Sequence, residues 1–255
     1  MSNIKQIISG VVVTAALFSS CHSHYEMTSI KRTRILIDNT YDRQPDKAAM
    51  QFIAKYQPTV DSLMSPVVGY AAIDMMAKRP ESNLSNLLAD ILIWGGKAFN
   101  ETPVFSVYNM GGIRAALSKG KVTYGDVLDV APFENKICFM TLSGAKVIEL
   151  FQQIALLGGE GVSHGVSLVI SADRKLKQLT IHGKEVDPSA SYRLATLDYI
   201  AQGNDGMPAF KAGTNLVMPK GEKNNVRFLI MDYFREKMKK GEQVSAQVEG
   251  RIVRE

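Results

Sequence analysis

The sequence predicts a layered, mixed α/β domain. Segments with helical apolar spacing interleave with segments of strand character, no period repeats along the chain, and 45% of the 255 residues are apolar, enough to bury a sizeable core. Charged residues make up 22%, mixed in sign, and the net charge of +5 is spread along the chain. Such a diffuse excess favours small anionic ligands or surfaces and gives no stripe for nucleic acid.

Residues 1–20 have the layout of an export signal: Lys5, an apolar stretch over residues 7–18, then Ser19 and Ser20. The apolar run is too short for a stable transmembrane helix. Leu17-Phe18-Ser19-Ser20-Cys21 resembles the lipobox of bacterial lipoproteins, with Phe18 in place of the more usual leucine, which implies cleavage before Cys21 and its acylation; an ordinary secretory signal with an incidental cysteine is the alternative. The expected product is an exported, membrane-anchored lipoprotein on a periplasmic or outer-membrane face, with residues 21–31, including His22 and His24, as a tether and residues 32–255 as one domain. Cys138, in Ile137-Cys138-Phe139-Met140, reads as a buried, inert thiol.

Residues 33–38 then read as a strand, and residues 46–64 as an amphipathic helix with Ala49, Phe52, Ile53 and Tyr56 at helical spacing, bent or broken at Pro58. A strand over residues 66–73 precedes a helix capped by Ser82 or Asn83. That helix carries Leu84, Leu87, Leu88, Ile91, Leu92 and Trp94 on a wide apolar face and ends at Gly95-Gly96. A short strand over residues 104–107 runs into Asn109-Met110-Gly111-Gly112-Ile113-Arg114. A short helix at residues 124–128, a strand at 136–142 and a strong helix at 143–157, N-capped by Ser143, follow. Three strands come next, within residues 166–174, 176–181 and 192–197, then a polar loop at residues 203–206, a helix at 224–239 and a last strand at 248–253.

Two binding loops follow strands and one precedes a strand. Paired glycines in residues 109–114 let backbone amides approach a ligand, and Arg114 offers a planar fork for phosphate or ribose oxygens. The proline-stiffened turn Ala131-Pro132-Phe133-Glu134-Asn135 presents a phenylalanine beside polar groups. In residues 197–206 an aromatic, Tyr199, and a carboxylate, Asp205, leave a strand together, suited to a base face and to ribose hydroxyls. On its own each loop also reads as ordinary structure: a glycine turn, a core phenylalanine, a solvated turn. Apart from His22-Ser23-His24 in the tether, the sequence lacks the Asp-x-His, Gly-Asn-His and His-x-His arrangements from which a binuclear metallophosphatase centre is built. It has no Walker loop or Gly-x-Gly-x-x-Gly either, and its one Gly-x-Ser-x-Gly spacing, Gly161-Val162-Ser163-His164-Gly165, leads into the strand read at residues 166–174 instead of the helix that a nucleophile elbow needs.

In this order the motifs resemble the C-terminal substrate-binding domain of the 5'-nucleotidase family, which also occurs in UDP-sugar hydrolases and periplasmic 2',3'-cyclic nucleotide phosphodiesterases. The landmarks are Ser82-Asn83-Leu84 opening a helix, Tyr108-Asn109-Met110-Gly111-Gly112-Ile113-Arg114, Pro132-Phe133-Glu134-Asn135, Leu142-Ser143-Gly144, and Gly203-Asn204-Asp205-Gly206. The resemblance implies a 5'-nucleotidase C-terminal domain-like fold in which Phe133 and Tyr199 sandwich the base and Asp205 binds the ribose hydroxyls. Arg114 would hold phosphate or ribose oxygens, Asn109 would touch the base, and Arg79 would add a second positive group. Gly111 and Gly112, Asn135 and the Gly158-Gly159 loop would line the pocket. Met110 stands where a third glycine is common, Asn204 replaces a glycine, Met207 an aromatic, and Tyr199 stands where phenylalanine is usual.

The same resemblance implies a nucleotide or nucleoside ligand, no cofactor on this chain, and hydrolysis only together with a separately encoded metallophosphatase that holds the divalent metals. A stand-alone nucleoside-binding lipoprotein and a remnant that binds nothing are the alternatives.

Overall fold

A computed structural model describes residues 25–40, 43 and 45–255. The readings of residues 1–20 as an export signal and of Cys21, His22 and His24 as anchor and tether lie outside the described residues. The chain divides into two compact units, Met1–Gln51 and Phe52–Glu255. No helix among the described residues is long and apolar enough to cross a membrane.

In the first unit the expected strand at residues 33–38 does not form. The segment has no regular structure, and Ile35 and Ile37 are 74% and 96% exposed. Strand propensity needs a partner ladder and a face to bury, and here neither is supplied. The expected helix over residues 46–64 is two helices, α1 (Lys47–Ala54) and α2 (Gln57–Met64), with Pro58 in the first turn of the second, where its missing N–H costs nothing. Neither buries a residue, so the expected inward stripe is exposed.

The second unit is built on a five-stranded sheet. In chain order its strands are β2 (Phe105–Tyr108), β4 (Ile137–Ser143), β5 (Gly161–Val162), β9 (Ser191–Leu197) and β10 (Thr214–Val217), arranged β10-β4-β9-β2-β5. β2 and β9 run parallel, and the other neighbours are antiparallel. A four-stranded sheet has the order β11-β6-β7-β8, from β6 (Val166–Ile170), β7 (Leu176–Ile181), β8 (Lys184–Glu185) and β11 (Ile252–Arg254), and β1 (Val67–Ala71) pairs with β3 (Gly120–Thr123). The expected last strand is thus only three residues of β11. The short strands β3, β5, β8 and β10 escaped the sequence reading, because two to four residues carry no measurable period.

Two long helices cover opposite faces of the five-stranded sheet, as neighbouring residues of β2 show. Phe105 meets Phe151 of α5 (Gly144–Leu157), with ring centroids 5.7 Å apart. Ser106, pointing the other way, donates its hydroxyl to the Ala89 carbonyl of α3 (Asn83–Gly96) at 2.6 Å. Covered on both sides, all four residues of β2 are buried, as a central parallel strand requires.

The helix ends follow local chemistry. Ser82 and Ser85 form a capping box on α3, Ser143 caps α5, and Gly158 ends it in the left-handed region at φ 85°. α4 (Tyr124–Val130) begins in a Thr123–Asp126 capping box, and α7 (Val226–Lys239), capped by Asn225, packs its buried Leu229, Ile230 and Phe234 into the core.

Gly144 allows the tightest approach. A β-carbon there would stand 1.8 Å from the Asp187 carbonyl oxygen, which belongs to a backbone pinned by Ala145 N–H to Pro188 O and Gly144 N–H to Ala190 O. Gly144→Ala is expected to lower unfolding free energy by about 3 kcal/mol, the upper range for overpacking. Urea unfolding measures this, and a loss under about 1 kcal/mol would show that residues 187–190 yield instead.

Candidate ligand cleft

Strand register brings the three loops together. β2 and β9 are parallel neighbours, so Tyr108 and Leu197 end on the same side of the sheet, and β4 starts there because Ile137 pairs with Leu197. Residues 109–114 therefore leave β2, residues 198–206 leave β9, and residues 131–136 enter β4 along one edge. The carboxyl ends of parallel strands are the usual place for a crevice in such sheets.

Asp198 opens the short helix α6 (Asp198–Ala201) and locks two of the loops. Its N–H donates to the Lys136 carbonyl at 2.8 Å, and its Oδ1 accepts from Lys136 N–H and Tyr199 N–H, both at 2.9 Å. Arg227 of α7, 8% exposed, fixes the start of the 131–136 loop by donating to the carbonyls of Ala131, Pro132 and Phe133 at 3.1, 2.8 and 3.4 Å. Sequence reasoning missed both residues, since their partners are backbone atoms far away in the chain.

The loops enclose a cleft of about 220 Å³ lined by Asn109, Gly111, Gly112, Phe133, Asn135, Tyr199 and Asp205. Its size is below the roughly 300–1,000 Å³ of pockets that engulf a small ligand, so it suits a grip on one part of a molecule. Phe133 and Tyr199 leave 49% and 42% of their surface exposed.

Asp205 is the polar hub. It sits at φ 52°, in the left-handed region that aspartate tolerates better than most residues. Its Oδ1 accepts from the Tyr199 hydroxyl at 3.0 Å and its Oδ2 from Asn109 Nδ2 at 2.6 Å. Gly111 leaves room for this: a β-carbon on it would stand 3.2 Å from Asp205 Oδ2. Asn204, where a glycine is usual, donates its amide to the Tyr199 carbonyl at 2.8 Å, and Met207, where an aromatic is usual, is fully buried. Asn109 is 2% exposed, and its Oδ1 has no partner.

Three expected members do not line the cleft. Arg114 is exposed and donates to the Gly111 carbonyl at 3.4 Å. Arg79 pairs with Glu160 and donates Nε–H to the Gly159 carbonyl at 2.8 Å. Gly159 lies so close to Pro80 that a β-carbon would fall 2.3 Å from its carbonyl oxygen. The glycine pair thus packs the Arg79-Pro80 segment. Glu160, missed in the sequence because nothing marks a lone acid between glycines, also accepts from Met110 N–H. Burial raises its carboxyl above the ordinary range, opposed by Met110 N–H and Arg79.

Among the described residues no three His, Cys, Asp or Glu side chains are grouped as for a metal ion. His164 pairs with Glu249 at 3.0 Å, and His182 bonds the Val104 carbonyl at 2.9 Å. Cys138 is buried, and burial pushes its thiol up to about 12, which leaves it without thiolate character.

Comparison with known proteins settles the relationship. Residues 67–212, more than half the chain, match the family model described as 5'-nucleotidase, C-terminal domain. The chain belongs to this family. It is 28% identical over 236 residues to the trifunctional nucleotide phosphoesterase protein YfkN of Bacillus subtilis, covering 85% of this chain and 16% of that protein. Against protein UshA of Escherichia coli it is 37% identical over 108 residues, 41% of this chain and 20% of UshA. Among solved structures, the 5'-nucleotidase precursor from Thermus thermophilus superposes with a TM-score of 0.70 at 27% identity, over 81% of this chain and 43% of that one. The NAD nucleotidase of Haemophilus influenzae shares the fold, with a TM-score of 0.61 at 19% identity over 85% and 44% of the two chains. The chain thus spans less than half the length of each of these proteins.

The Tyr199–Asp205 bond has a spectroscopic consequence. The hydrogen bond to Asp205, and then its charge, hold the Tyr199 phenol above its ordinary value. Asp205→Asn removes the charge, so the phenol is expected to ionise at lower pH. An NMR titration of the Tyr199 ring carbon reads this, and an unchanged midpoint would contradict the bond.

Proposed function

We propose that this chain is the nucleotide-recognition part of a 5'-nucleotidase-type phosphohydrolase. The base lies between Phe133 and Tyr199, and the ribose hydroxyls bind Asp205. One observation carries this reading: two half-exposed aromatic rings and a carboxylate share one small cleft, and the carboxylate is oriented by Tyr199 and Asn109. Each Asp205 oxygen uses one acceptor position on these partners and keeps another, so a vicinal diol can donate to both. Each base-ring stack supplies roughly 1–3 kcal/mol.

In this reading Asn109 and Asn135 meet the base edge, Gly111 and Gly112 let the ligand approach backbone, and Arg114 and Arg79 supply positive charge near the phosphate end. The divalent metals that activate water belong to a metallophosphatase acting with this chain, and lipidation of Cys21 holds the pair at the cell envelope. This chain's own residues bind and orient the nucleotide, and no cofactor is needed for that step.

Thermal unfolding with adenosine or AMP tests the site. A ligand at one hundred times its Kd stabilises the native state by about 2.7 kcal/mol, or about 5–10 °C in Tm for a unit of this size. Phe133→Ala, Tyr199→Ala and Asp205→Ala are each expected to remove the shift while leaving the ligand-free Tm within a few degrees. Unaltered shifts in all three variants would sink the placement.

Lipidation is tested separately. Cells fed an alkyne fatty acid are expected to label the wild-type chain and not Cys21→Ala, and equal labelling would refute the anchor.

A further inference from the structure

Glu160 stands behind the cleft and lines no part of it. It follows the left-handed glycines Gly158 and Gly159 that end α5, and it is 2% exposed. Its Oε1 accepts from Arg79 Nη2, and its Oε2 accepts from Met110 N–H. Met110 opens the turn that carries Gly111 and Gly112 into the cleft lining. Arg79 is fixed a second time through Nε–H to the Gly159 carbonyl, yet its side chain stays 42% exposed. One buried carboxylate therefore ties the guanidinium of a partly exposed arginine to the turn that supplies Gly111 and Gly112.

A carboxylate suits this place. A guanidinium and a backbone N–H are both donors without acceptor capacity, so the group between them must present an acceptor to each side. An amide turns an N–H group toward one of them. Burying a charge is expensive, and an apolar side chain would fill the same space at lower cost if packing were all that mattered. Arg79 uses two of its five N–H donors in these bonds, leaving the rest for an outside anion.

We propose that Glu160 is a positioning residue. It holds the Arg79 guanidinium in register with the turn beneath the cleft, so that a phosphate on the ligand meets Arg79 while the base and sugar occupy the cleft. This rests on the reading of the cleft as a nucleotide site.

The test compares adenosine with AMP on the full chain. In wild type AMP is expected to bind more tightly than adenosine. Glu160→Gln is expected to weaken AMP by about tenfold or more, the size of a lost charge-assisted hydrogen bond, and adenosine by less than about threefold. Arg79→Gln is expected to remove the same increment, and the double variant to lose no more than Arg79→Gln alone, the mark of two residues acting as one unit.

In ligand-free protein, Glu160→Gln is expected to speed hydrogen exchange at the Met110 amide and the Arg79 Nε–H. Equal loss of AMP and adenosine affinity in Glu160→Gln, or unchanged exchange, would overturn the proposal while leaving the cleft reading intact. If wild type binds neither ligand, the cleft reading fails and takes the phosphate role with it. Should Glu160→Gln not fold, Arg79→Gln decides: an AMP preference that survives it overturns the proposal.

Discussion

Everything about the cleft depends on the level at which two strands end and a third begins. Leu197 of β9 pairs with Ile137 of β4, and β2 runs parallel to β9 so that Tyr108 ends beside them. Shift β4 by one residue, and its buried set turns to the opposite face while the Phe133 loop moves along the edge. Because both faces of the sheet are covered by α3 and α5, that slip is strongly opposed by the core. The distance between the two aromatic loops is thus fixed by packing remote from either ring.

Around that frame the polar groups divide into two kinds. Asp198 and Arg227 direct their hydrogen bonds to backbone atoms of the loops, and Asp205 uses part of its capacity on Tyr199 and Asn109. The first kind shapes the walls, and the second keeps acceptor positions open toward solvent. Loops that carry function are usually the least ordered parts of a fold. Here each is tied down by a side chain from another element.

Much of the fold was legible in the sequence. The helices over residues 83–96, 144–157 and 226–239 announce themselves by apolar spacing and caps, β4 by its apolar run, and β7 and β9 as strand-like segments between turn residues. Where the reading failed, it lacked a partner: residues 33–38 have strand-like side chains and nothing to pair with, the apolar residues of α1 stay exposed, and α2 sets only Met64 against α4. The short strands β3, β5 and β10 exist because a neighbour's edge recruits them, which no local pattern records. Seven expected residues do gather around one cleft, whereas Arg79, Arg114 and the Gly158-Gly159 pair stand outside its lining. Order of motifs brought the loops together on paper, but only tertiary structure shows which guanidinium is engaged by an internal acid.

The hydroxyl of Tyr199 sets the ring's behaviour as well as the carboxylate's. Phenylalanine at this place would lack a tether at the far end of its ring. The bond to Asp205 instead anchors the far end of the ring and limits its swing, while Asn204 clasps the same residue's carbonyl. Freezing a mobile side chain at an interface costs about 0.5–1.5 kcal/mol. A flat molecule that settles against Tyr199 meets a surface already aligned, so that entropic toll has been collected during folding.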